Sequence, residues 1–201
     1  MSEPGTNCNA VGINGLPEKF PTHGHDGAFW ESLGRAVATF SFLEEALRKA
    51  TLAFTATRPI EESEIEMAYK DWRRKLQKTL SDPLGPQIIS YGDAMRDHPK
   101  AGITKNELEN LLQRLRKVAE MRNILCHGSW WEPDGAGVSV IHFASRKNEI
   151  HETPIDVTYL NQVQRHTASL ICLVWNTMAD TGFQFPGMGS QVGPIQRDPR
   201  T

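Results

Sequence analysis

The sequence predicts a mainly α-helical bundle of four to five helices, with a small β-hairpin inserted before the last helix. Two observations carry that expectation. Long segments repeat apolar residues at alternating steps of three and four, the spacing of a buried helix face, and helix start and stop residues bracket them. Only one stretch is β-rich on both sides of a turn. Of the 201 residues, 39% are hydrophobic, with five Trp and eight Phe, which is enough apolar material for a core. The length suits one domain, or one domain with tails.

The first helix is expected from about Ala28 to Thr57, where Pro59 ends it. Its stripe is Leu33, Val37, Phe40, Glu44, Leu47, Thr51 and Phe54, so Glu44 is the one charge among residues that should be buried. A second helix, roughly Glu61 to Leu80, repeats the pattern with Ile65, Tyr69, Trp72, Leu76 and Leu80. Its acidic residues lead and its basic ones follow, matching the helix dipole. Pro83, Gly85, Pro86 and Pro99 break the next region, leaving room for one short helix around Ile88 to Met95.

Thr104-Lys105-Asn106-Glu107 reads as a capping box that opens the third long helix. Its stripe is Leu108, Leu111, Leu115, Val118, Arg122 and Leu125, which places Arg122 where an apolar residue is expected. Gly128 is expected to close it in a left-handed conformation. The segments from Gly137 to Phe143 and from Glu149 to Ile155, separated by Ser145 to Asn148, read as the hairpin at about 137–155. A last helix, about Asp156 to Ala179, carries Leu160, Val163, Leu170, Leu173 and Val174. Residues 1–26 and 181–201 contain 14 of the 28 glycines and prolines and none of the Trp, so both are expected to be flexible or loosely docked tails around a folded unit at 27–180.

A formal charge of -2 gives no global pull toward nucleic acid or anionic membrane and excludes a polybasic binder. No run approaches the ~18 apolar residues of a membrane helix, and Met1 to Gly5 lacks a signal-peptide pattern, so no membrane partner and a cytoplasmic location are expected. Cys8, Cys126 and Cys172 are too scattered for a disulfide framework or a metal pair. Gly187, Gly189 and Gly193 miss the spacing of a dinucleotide loop.

The most informative string is Arg122-Asn123-Ile124-Leu125-Cys126-His127, followed by Gly128. At about 100° per residue, His127 lies about 40° around the helix from Asn123 and about 140° from Arg122. A cation, an amide and an imidazole can therefore converge on one ligand at a helix end. Arg122 can hold phosphate oxygens with a two-pronged donor fork, and an imidazole with a reference pKa of ~6.5 can take or give a proton near neutrality. These are tools for cutting RNA without a metal or other cofactor. The 2′-hydroxyl must lose its proton to attack the adjoining phosphate, and the phosphorane that forms needs positive charge and donors around it. DNA lacks that hydroxyl and should survive.

The string resembles the R-x(4-6)-H motif of HEPN-domain proteins, and the helix around Phe42 to Leu47 is similar to the first helix of bacterial HEPN-like proteins. The resemblance implies a helical bundle, frequently a homodimer with the two motifs facing each other. Many members are metal-independent endoribonucleases of toxin–antitoxin, abortive-infection or RNA-processing systems, which makes RNA the implied substrate and an antitoxin protein an implied partner. It assigns Arg122 to the scissile phosphate, His127 to proton transfer and Asn123 to positioning. Other members are non-catalytic modules that bind a partner protein or a nucleotide.

Structural readings stand beside the catalytic one. Arg122 and Glu44, both charges on apolar stripes, are expected to form a buried ion pair that locks two helices, which would orient the guanidinium and also compete with phosphate. His127 can serve simply as a cation at a helix C-terminus. Lys70, Arg73, Arg74 and Lys78 share one side of the second helix and can track an RNA backbone, but a solvated face explains them as well. His23-Gly24-His25 has metal-binding spacing without an evident third ligand, so no metal site is expected. His142 and His151 are expected to face each other across the hairpin, and Cys126 to pack rather than to pair with His127.

Overall fold

The computed structural model describes residues 12–96, 98, 99, 101–144 and 150–181, with residues 75–80, 151 and 180 described by their backbone alone. The expectations for residues 1–11, for the turn at Ser145 to Asn148, for the glycines beyond 181 and for the side chains of Leu76, Lys78, Leu80 and His151 lie outside the described residues. The architecture is mainly helical, with a small antiparallel sheet before the last helix.

Helix α1 (Gly27–Ala56) is the central element. Asp26 caps its start by accepting a hydrogen bond from Phe29 N at 2.8 Å, and Thr57 closes it two residues before Pro59. Leu33, Phe40, Leu47, Thr51 and Phe54 of its stripe are buried as the periodicity predicts, while Val37 and Glu44 are half-buried. The segment before α1 folds back on it. Trp30 Nε1 donates to Thr22 O at 2.9 Å, and the His25 ring stacks on Phe29 at 4.0 Å with its edge toward Trp30 and Trp130.

Helix α2 (Ile65–Ser81) departs from expectation. Its stripe is amphipathic as predicted, but Ile65 and Tyr69 are 54% and 59% exposed, and Trp72 is only half-buried. Helix α3 (Leu84–Arg96) is longer than the short helix expected from its prolines. Pro86 falls in the first turn, where backbone N–H groups have no intrahelical acceptor, so the ring costs no hydrogen bond there. Leu84, Ile88, Tyr91 and Met95 pack inward, and Tyr91 OH meets Thr177 Oγ1 at 2.9 Å. Burial raises the pKa of that phenol strongly. His98, just beyond α3, is buried against Phe54 and lies 3.1 Å from Thr57 Oγ1.

Helix α4 (Lys105–His127) starts at the predicted capping box, with both reciprocal hydrogen bonds of Thr104 and Glu107 present. Gly92 of α3 lets it approach, since a Cβ there would lie 2.9 Å from Leu112 Cδ1. The chain then forms β1 (Ser129–Trp130), β2 (Ser139–Ala144) and β3 (Ile150–Ile155), a three-stranded antiparallel sheet in the order β1-β2-β3 rather than a hairpin alone. Its inner face buries Ser139, Ile141 and Ile155 completely. Register places His142 opposite Glu152 and His151 opposite Phe143, so the two positions are not directly opposed.

Helix α5 (Val157–Met178), capped by Asp156, packs along α1 through Leu160, Leu170, Ile171 and Val174. Leu173, assigned to its stripe from sequence, is instead 38% exposed. No helix among the described residues is long and apolar enough to cross a membrane.

Candidate functional site

The end of α4 is anchored by Ile124 and Leu125, both buried, which leaves the flanking positions to face outward. Asn123, Cys126 and His127 are exposed and Arg122 is half-buried. Arg122 Nη1 lies 3.3 Å from Asn123 Oδ1 and 3.3 Å from His127 Nε2, so one guanidinium nitrogen bridges the amide and the imidazole. A guanidinium only donates, so a hydrogen bond at this contact uses Nε2 of a neutral imidazole as its acceptor. The three residues singled out in the sequence are therefore brought together.

Glu44 reaches the same group from α1. Its Oε1 lies 4.0 Å from Arg122 Nε, with the carboxylate side chain 19% and the guanidinium side chain 30% exposed. The predicted pairing is present, but as a partly solvated contact at the limit of an ion pair rather than a sealed one. Such a contact orients the guanidinium without consuming its donors, since Arg has five N–H groups. Cys126 is exposed, not packed as expected. Burial raises its thiol pKa, Arg122 opposes that shift and Glu44 adds to it, so the thiol stays protonated near neutrality.

Gly128 has an extended backbone, with φ -75° and ψ 155°, so the left-handed cap expected there is not formed. The residue is needed for close approach instead. A Cβ at this position would lie 2.5 Å from Ile141 Cγ1 and 2.7 Å from the Ile124 carbonyl oxygen. The sheet is thereby drawn against the end of α4, directly after His127. Trp131, 60% exposed, stacks on His142 at 6.3 Å, and His142 Nδ1 lies 3.9 Å from Glu152 Oε1. Sequence reasoning did not find that stack, because β1 is only two residues long and leaves no readable alternation.

The basic residues of α2 do not join this cluster through any ion pair or hydrogen bond described for them. Lys70, Arg73 and Arg74 are exposed, Lys70 pairs with Glu66 at 2.7 Å and Arg74 with Asp71 at 2.9 Å, as on a solvated helix face. Among the described residues, no three His, Cys, Asp or Glu side chains converge as metal ligands would. No family model, no curated protein and no solved structure matches the chain.

Proposed function

We propose that the chain is a HEPN-like endoribonuclease, of toxin or RNA-processing type, that cleaves RNA without a metal through Arg122, Asn123 and His127. The observation that carries this reading is the convergence of an amide and an imidazole on one guanidinium nitrogen, each 3.3 Å from it, at an accessible helix end. A phosphate entering the cluster takes over the donors of Arg122 and releases His127 Nε2, which then accepts the proton of the 2′-hydroxyl. The 2′-oxygen attacks phosphorus, the 5′-oxygen leaves with a proton, and the products are a 2′,3′-cyclic phosphate and a 5′-hydroxyl. In-line attack puts the two oxygens on opposite sides of phosphorus. A second copy's His127 supplies the other proton transfer in a homodimer whose clusters face each other. Its location is cytoplasmic and an antitoxin protein is a natural partner.

A second reading is favoured by one contact. Glu44, 4.0 Å from Arg122, offsets the charge that a phosphate needs, as suits a non-catalytic HEPN-like module that binds a partner protein or a nucleotide. Incubation with structured and single-stranded RNA in EDTA separates the two. The enzyme leaves 2′,3′-cyclic phosphate ends and loses activity in Arg122→Ala and His127→Ala; equal background in all three preparations rejects it.

A further inference from the structure

We propose that α2 is a self-association helix that pairs antiparallel with α2 of a second copy of this chain. Three observations carry it. First, α2 is amphipathic yet largely uncovered: Ile65 and Tyr69, about 40° apart around the helix, are 54% and 59% exposed, and the Tyr69 ring stacks on Trp72 at 6.2 Å instead of entering the core. Contiguous exposed apolar side chains of this size mark association surfaces. Second, an open groove of about 690 Å³, whose lining includes Ile65, Tyr69 and Trp72 beside Arg58, Glu61 and Glu64, separates the start of α2 from the end of α1, leaving space for a side chain from outside.

Third, the charges specify the partner and its direction. Glu61, Glu62, Glu64 and Glu66 crowd the start of the helix, Lys70, Arg73 and Arg74 follow, and the sequence stays basic with Lys75 and Lys78. A parallel pair would align acidic end with acidic end and basic end with basic end. An antiparallel pair sets each acidic end against a basic one, in the self-complementary form that a twofold axis requires. Glu66 and Arg73 are seven residues apart and so lie within about 20° of each other around the helix. A twofold axis between Tyr69 and Lys70 brings Glu66 of each copy opposite Arg73 of the other, with Tyr69 of each copy opposite Lys70 of the other at the centre of the contact.

This pairing is independent of the cleavage chemistry and of any facing of the Arg122 clusters, and it is read by variants remote from them. The test is light scattering coupled to gel filtration on the full chain at tens of micromolar, with Glu66→Arg, Arg73→Glu and the double variant. Glu66 is 85% exposed as a side chain, so reversal there leaves the fold intact, which circular dichroism checks. The wild type is expected to associate through α2, each single reversal to weaken that step by about tenfold or more, and the double variant to associate like the wild type. A monomeric wild type overturns the proposal. So does a dimer that all three variants leave unchanged, or a double variant as weak as the singles, which would assign the basic end to a different ligand such as RNA.

Discussion

At the scale of single residues, Cys126 reports on the candidate site without any assumption about RNA. Its thiol is pushed up by burial and held back by the Arg122 charge. Alkylation at Cys126, followed site by site by mass spectrometry, should be slower at pH 7 than at an unperturbed thiol and should accelerate as pH rises above the ordinary thiol value of ~8.5. Arg122→Ala removes the cation that favours the thiolate, so the reaction should slow further. Faster alkylation in that variant would mean that the guanidinium does not face the thiol. Gly128 makes a second residue-level claim. Alanine suits its φ of -75°, so the cost of Gly128→Ala is steric, from the Ile124 carbonyl and the Ile141 side chain. Overpacking of this kind costs about 2 kcal/mol, measurable by urea unfolding, and a neutral result would place the sheet farther from α4.

At the scale of elements, the docked segment before α1 should be sensitive to pH. His25 is stacked among Phe29, Trp30 and Trp130, and its Nε2 is buried without a hydrogen-bond partner among the described residues. Burial lowers its pKa, with Asp26 partly opposing. The folded state therefore prefers the neutral ring. Its stabilising contribution is present above the unfolded value of ~6.5 and is lost as pH falls through the lower folded value. Trp fluorescence should change across that interval in the wild type and stay flat in His25→Phe. A titration unchanged by the substitution would assign the response to another group.

The same scale shows what was legible in the sequence. The stripes of α1 and α4 read correctly because each element buries a full face, so its period is visible; α5 read with one exception at Leu173. The stripe of α2 has the same period, but periodicity shows that a face is apolar and cannot say what covers it. The length of α3 was hidden by Pro86, whose effect depends on its distance from the helix start. The convergence of Arg122, Asn123 and His127 was legible because all three lie within the last turn and a half of one helix, where the long Arg122 side chain reaches the imidazole. The Trp131–His142 stack did not, because it depends on strand register.

For the whole molecule, the near-neutral balance of 22 basic and 24 acidic residues fits local rather than global attraction of a phosphate. Arg122 and His127 sit at the junction of bundle and sheet, where Gly128 draws the two together. The most direct measurement uses an otherwise deoxy oligonucleotide carrying a single ribonucleotide, incubated with the full chain in EDTA. The proposed chemistry predicts one cut, on the 3′ side of that ribose, with a 2′,3′-cyclic phosphate end, lost in both Arg122→Ala and His127→Ala. An intact oligonucleotide under conditions where the protein is folded, or a cut that persists in either variant, would contradict it.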